Sequence, residues 1–269
     1  MGRNDLCFCG SGKKKKKCHA NINENSVAAE IIKFYKEFDN ELQSNVFEKL
    51  NIKCKRGCCE CCGDFFPISE VEFAIIMDYL MQEKGKDTVQ MIIKKGLEQN
   101  EFFKREYPDY YQQLEEDLNG RGVYEALRLT IQNMPTKQGE QCVFLNDDAS
   151  CSIYGVRPII CRTYGLCYRS STQDDYNICS KIPCLKDAKK NMLCIDKYND
   201  IINSTYLYKD KNGNSTIMRR QYPIFYFIKM YFNDEKSVYE YFKHPTIYGI
   251  LQSKKENFYS YLRNLYHLK

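Results

Sequence analysis

The chain has 269 residues, 43% of them hydrophobic, enough for one large domain or a medium domain with appendages. Its net charge of +5 equals the charge of the run Lys13–Lys17, so the rest sums to zero and any attraction to nucleic acid is expected to be concentrated in that short segment rather than spread over a basic face. The longest apolar stretch, Tyr222–Phe232, is too short and interrupted to span a bilayer, and the polar N-terminus matches neither a secretory signal nor a myristoylation pattern.

These features predict a cytoplasmic protein with no membrane insertion. Fifteen cysteines in that setting are expected to be ligands rather than disulfides. The predicted fold is mainly α: packed helices around an irregular, cysteine-rich, metal-organised core, with a small N-terminal zinc module. Four segments are expected, at 1–20, 21–51, 52–195 and 196–269.

In chain order, residues 1–19 read as a compact cysteine module and 20–26 as a polar linker. Val27, Ile31, Phe34, Tyr35, Phe38 and Leu42 recur at helical spacing and predict an amphipathic helix over 26–48. Ser69 followed by Glu72 is a capping-box pattern that opens a helix running to about Lys84, with Gly85 as its stop. Further helices are predicted near 87–105 and 121–133, the latter ended by Pro135. Residues 142–195 lack periodicity and predict short helices and loops. Beyond Asp196 the chain is aromatic, with helices expected over Asp234–Phe242 and Ile247–Leu268 and the rings serving core packing.

The N-terminal string Cys7-x-Cys9-Gly-Ser-Gly, five lysines, then Cys18-His19 offers three sulfurs and one imidazole. Gly10 and Gly12 allow the tight turn between the two ligand pairs. Cys7, Cys9, Cys18 and His19 would close a tetrahedral zinc shell with no open position, so this centre is expected to be structural. The string resembles the SEC-C motif, the small zinc-binding tail of the translocase ATPase SecA, which recurs on many other bacterial proteins. That resemblance implies Zn²⁺ here and a contact with a protein partner or the ribosome, as SecA's motif contacts SecB and the ribosome. Nucleic-acid contact is confined to Lys13–Lys17, which read equally well as five solvated charges.

A second constellation is Cys54-x₃-Cys58-x₂-Cys61-Cys62, followed by Cys142-Val-Phe-Leu and by Cys151-Ser-Ile-Tyr-Gly-Val-Arg-Pro-Ile-Ile-Cys161-Arg-Thr-Tyr. Close-set thiolates suit zinc or iron–sulfur ligation. These strings resemble the YkgJ family, described as zinc- or iron-chelating, over roughly residues 52–185. Carried over by position, that resemblance implies the ligands Cys54, Cys58, Cys61, Cys62, Cys142, Cys151, Cys161 and Cys179, with Cys167 the rival for the last place. Cys59, Cys184 and Cys194 read as supernumerary.

Eight thiolates exceed one mononuclear shell and suit two four-ligand sites or one polynuclear centre of Zn²⁺, iron or iron–sulfur. Adjacent Cys61 and Cys62 are expected to serve different sites, or only one of them to ligate. Arg157 and Arg162 flank Cys161 and would offset thiolate charge, with an ordinary surface ion pair the other reading of Arg162. Tyr154 and Tyr164 are expected to pack over the site.

His244 and His267 stand without a partner motif, and no G-x-G-x-x-G, Walker A, G-x-S-x-G or H-E-x-x-H pattern occurs. Cys54, Cys58 and Cys61 have radical-SAM spacing, but Cys62 follows at once and no βα series for a barrel lies downstream. The leading expectation is a metal-binding protein with an accessory zinc module. The alternatives are an iron–sulfur-dependent protein-modifying enzyme, through resemblance to the flagellin lysine N-methylases that share the cysteine head, and an adaptor whose metal is purely structural.

Overall fold

The computed structural model describes residues 2–43, 57–118, 140–163, 168–169, 174–175, 193–209, 212, 215–217, 221–232, 245–255, 257–258 and 261. The fold is mainly α, with eight α-helices among the described residues. No helix among them is long and apolar enough to cross a membrane.

Ser26 caps α1 (Val27–Glu41), its hydroxyl accepting from the Ala29 N–H at 3.2 Å. The apolar positions of the sequence pattern, from Val27 to Leu42, are all buried. The predicted continuation to residue 48 runs into positions outside the described residues. β1 (Pro67–Ser69) leads directly into α2 (Glu70–Glu83), and the capping box forms as the sequence indicates, with Ser69 at N-cap and Glu72 at N3.

α2 is the central helix, with Val71, Phe73, Ala74, Ile76, Met77 and Leu80 all sealed from solvent. It ends where Gly85 takes φ 78°, and α3 (Gly85–Glu106) starts at once, so the stop signal is a corner between two helices. Pro108 then opens α4 (Pro108–Leu118), a helix the periodicity did not single out, with proline in the first turn where no N–H is needed.

The cysteine-rich stretch holds a short 3₁₀ turn at Tyr154–Val156 and α5 (Ile159–Thr163), as the lack of periodicity implied. It also holds three two-residue strands, β2 (Tyr168–Arg169), β3 (Asp174–Asp175) and β4 (Leu193–Cys194), in the order β3-β2-β4. α6 (Asp196–Tyr206) follows, then the antiparallel pair β5 (Leu207–Lys209) and β6 (Ser215–Ile217). β7 (Gln221–Pro223) returns to pair antiparallel with β1 in the register Ile68↔Tyr222, and opens into α7 (Ile224–Tyr231). Because the two strands run antiparallel, α2 leaves one end of this bridge and α7 the other.

α8 (Pro245–Gln252) begins before the predicted Ile247 and breaks at Ser253 and Lys254, where Lys254 pairs in a β-bridge with Ser26, and helical backbone resumes at Lys255. The helices predicted at 121–133 and over Asp234–Phe242 lie outside the described residues. The late aromatics are core: Phe65, Phe103 and Phe225 form a three-ring cluster with centroids 4.9–5.2 Å apart, and Phe73 stacks on Phe227 at 5.0 Å.

One buried cluster runs from Cys7 through α1, α2, α3, α6 and α7 to Phe258. The polar stretch at 20–26 is docked rather than free. Ile22 is 1% exposed, the Asn23 N–H bonds the Leu251 carbonyl at 3.0 Å, and the Asn21 amide donates to Asp78 of α2 at 2.9 Å. Burial pushes the Asp78 carboxyl up to about 6, against the hydrogen bonds from Asn21 and Gln82.

Candidate metal centres

The N-terminal module is a turn pinned by its own backbone. The Cys7 N–H bonds the Lys13 carbonyl at 2.8 Å, Leu6 and Lys14 form an antiparallel bridge, and the Gly10 N–H returns to the Cys7 carbonyl at 3.0 Å. Gly10 and Gly12 take φ 69° and 75°, the left-handed turn that the sequence required of them. Lys15–Lys17 form a 3₁₀ turn, and its end brings Cys18 and His19 back over Cys7 and Cys9.

The four ligand atoms lie within 4.8 Å of one another. His19 Nδ1 stands 3.2 Å from Cys7 Sγ and 3.2 Å from Cys18 Sγ, with Cys9 Sγ 3.5 Å from Cys18 Sγ. A tetrahedral zinc ion with these donors has edges of roughly 3.6–3.8 Å, so the set fits a single ion with little movement. Burial drives the His19 pKa down to about 4, leaving the imidazole neutral, the form that ligates. Burial also raises the Cys7 thiol and pushes Cys18 up to about 12. At Cys9 burial pushes upward too, but hydrogen bonds from Ser11 prevail and its pKa falls below the ordinary value.

The module is seated on α1. Lys36 Nζ donates to the Gly10 carbonyl at 2.6 Å, and Lys33 lies 5.7 Å from the centre of the Phe8 ring.

The second centre is assembled from three segments. A 3₁₀ turn at Glu60–Gly63 carries Cys61 and Cys62, and the Cys62 carbonyl accepts the Cys142 N–H at 2.6 Å, which splices the head to the middle segment. From there Asn146–Ser150 make a tight turn, with Ala149 at φ 61°, and the Leu145–Cys151 bridge returns the chain. α5 then presents Cys161.

Cys58, Cys61, Cys62, Cys142, Cys151 and Cys161 all line one cavity of about 90 Å³, walled by Phe66, Phe144, Ile153, Pro158 and Ile224. Cys61 and Cys62 both line this cavity, and Cys62 also lines a smaller one beside Phe65 and Phe225. Cys59 lines a neighbouring groove beside Gln99, Phe102 and Glu140. Cys54, Cys167, Cys179 and Cys184 lie outside the described residues, as do Tyr164, His244 and His267.

Cys61, Cys142 and Cys161 are all held toward the protonated thiol. Burial pushes Cys142 up to about 12, with Cys151 and Cys61 adding to the rise. Burial and then the negative charge of Cys142, Cys61, Cys151 and Glu72 push Cys161 well up. Cys61 is raised by its hydrogen bond with Cys62, then by burial. Among the described residues, the N-terminal set is the one whose four ligand atoms meet at single-ion spacing.

Both arginines line the cavity, and Arg162 is no surface pair. Its side chain is fully buried, pairs with Asp39 of α1, and donates from Nε to the Arg157 carbonyl at 2.8 Å and from an amino group to the Gly155 carbonyl at 2.9 Å. Its guanidinium also lies 4.2 Å from the centre of the Tyr35 ring. Arg157 reaches Asp39 at 3.6 Å and sits over the Tyr154 ring at 4.0 Å, so Tyr154 packs over the site.

Sequence reasoning missed two supporting residues. Asp39 sits among polar neighbours at the end of α1 with no motif to mark it. Glu72 was legible as a cap, but only one of its oxygens serves that role.

A mainly helical fold that gathers cysteines into a Cys₃His turn and a six-thiol cavity defines a metal-binding protein. A family model named CxxCxxCC and described as "putative zinc- or iron-chelating domain" matches residues 53–185, and the SEC-C motif model matches residues 3–21. Comparison with curated proteins and with solved structures returns no match. The chain carries a CxxCxxCC domain with an N-terminal SEC-C motif.

Proposed function

We propose that this is a two-centre metalloprotein of the cytoplasm. Cys7, Cys9, Cys18 and His19 hold one structural Zn²⁺. Cys58, Cys61, Cys62, Cys142, Cys151 and Cys161, joined by Cys54 and Cys179 of the sequence pattern, hold a polynuclear centre, with an iron–sulfur cluster favoured over zinc.

The observation that carries this reading is the six-cysteine cavity with two arginines in its wall. Six thiolates exceed the four positions of a tetrahedral ion. The surplus negative charge of such a centre favours nearby guanidinium donors, and the largely apolar wall limits water access. A bound cluster would supply electron transfer or Lewis acidity, while the chain supplies ligands, charge balance and enclosure.

The SEC-C module is proposed as a contact surface for a protein partner or the ribosome. Leu6 is 65% exposed there, and Lys13, Lys14, Lys16 and Lys17 are all exposed around it.

Anaerobic purification with iron, zinc and sulfide analysis and a visible spectrum tests the proposal. Iron with acid-labile sulfide and broad visible absorbance is the expected result. A colourless protein holding about one zinc per chain would sink the cavity assignment while leaving the N-terminal centre standing.

A further inference from the structure

We infer that Glu72 is a positioning residue for the cysteine cavity, fixing through the backbone of Ile159 where Cys161 stands. The inference rests on the cavity being a metal centre.

Glu72 is 2% exposed, and its carboxylate accepts four hydrogen bonds. Oε2 takes the Ser69 N–H at 2.8 Å and the Ser69 hydroxyl at 2.9 Å, which closes the cap of α2. The cap leaves Oε1 free for other donors. Oε1 takes the Ile159 N–H at 2.9 Å, 87 residues further along the chain, and the Tyr35 hydroxyl of α1.

Ile159 is the first residue of α5, whose opening N–H groups have no partner within the helix. Pro158 before it has no N–H to offer. Glu72 therefore fixes the start of α5 from another helix, and Cys161 follows two residues on with its thiol in the cavity wall. Arg162, bonded to the carbonyls of Gly155 and Arg157, ties the preceding turn to the same helix. One carboxylate thus joins α1, α2 and α5 behind a ligand. Partners of this kind fix ligand orientation and commonly change metal affinity about 10–100-fold when removed.

The test uses full-length protein loaded with Co²⁺, whose thiolate spectrum reports ligand geometry, and follows metal release to a chelator. The release phase of the cavity is identified by its loss in Cys142→Ser. Glu72→Gln keeps the side chain's size but turns an amide NH₂ toward groups that are themselves donors. It is expected to speed cavity release about tenfold or more and to alter the cobalt spectrum. Ser69→Ala removes the cap hydroxyl and leaves the Ile159 contact intact, so it should lower Tm with release rate and spectrum unchanged.

Wild-type release and spectrum in Glu72→Gln would overturn the inference, as would equal acceleration in Ser69→Ala. If Glu72→Gln does not fold, Glu72→Asp carries the same expectation, because the shorter carboxylate cannot reach both Ser69 and Ile159. A wild-type chain that binds cobalt at the N-terminal site alone refutes the metal-centre reading itself, and the inference with it.

Discussion

The buried guanidinium of Arg162 is paired with the carboxylate of Asp39, which stands at the outer end of α1 with 37% of its side chain exposed. This pair locks α5, which carries Cys161, to the first helix. Asp39 also faces Arg157 at 3.6 Å, so one carboxylate serves two cations in the wall of the thiol cavity.

Asp39→Asn leaves the Arg162 charge buried without its counter-ion. Breaking a fully buried pair costs about 3–5 kcal/mol; with Asp39 partly exposed, about 2–3 kcal/mol is expected. Urea unfolding of the two proteins under identical metal loading measures it. Arg162→Met in the Asp39→Asn background should recover part of the loss, because the uncompensated charge goes with it.

Zinc affinity of the N-terminal centre should rise with pH. His19, at about 4, is already neutral through the neutral range and contributes no proton competition there. Cys7 and Cys18 both lie above the ordinary 9.0 of a thiol, so binding near neutrality displaces a proton from each. Log affinity should therefore climb by at least about two per pH unit between about pH 6 and 8, and more steeply wherever Cys9 still carries its proton. Competition with a chromophoric chelator across that window reads the slope, and a flat profile would contradict the ligand set. Cys7→Ser with Cys9→Ser should remove about one zinc per chain.

Cys59 and Cys61 are two residues apart but face different spaces, the open groove and the cavity. Cys59→Ser should leave cavity metal content and spectrum as in the wild type. Cys61→Ser should lower both. Metal analysis and visible absorbance of the two variants, prepared side by side, decide whether the cluster's membership follows the cavity wall.

Gly96 in α3 lies against α7 so closely that a Cβ at that position would meet Ile228 Cδ1 at 2.3 Å. Gly96→Ala should thus destabilise the chain by about 1–3 kcal/mol through overpacking, despite alanine's better helix propensity. Thermal unfolding at fixed metal content gives the value.

Much of this was readable from local pattern. The capping box at Ser69, the buried positions of α1, the turn glycines at 10 and 12 and the Cys₃His set depend on neighbours within about twenty residues, so spacing alone carries them. α4 was missed because its apolar positions are few and its clearest mark is a single proline at the start. The docked state of residues 20–26 was hidden because polar side chains read as solvated until their partners, Asp78 and the end of α8, are known.

What the sequence determined by itself was the donor chemistry: which residues are thiols and imidazole, and how closely they are set along the chain. It separated the N-terminal ligands from the large cluster, because a short loop can close on one ion by itself. Tertiary structure decided the rest. Cys61 and Cys62 line one cavity, Cys59 lines the groove beside it, and Asp39 and Glu72 hold the wall in place from helices far away in sequence. The physical reason is distance along the chain: a buried charge or an unpaired N–H must find its partner in space, and no spacing rule records a partner 87 residues away.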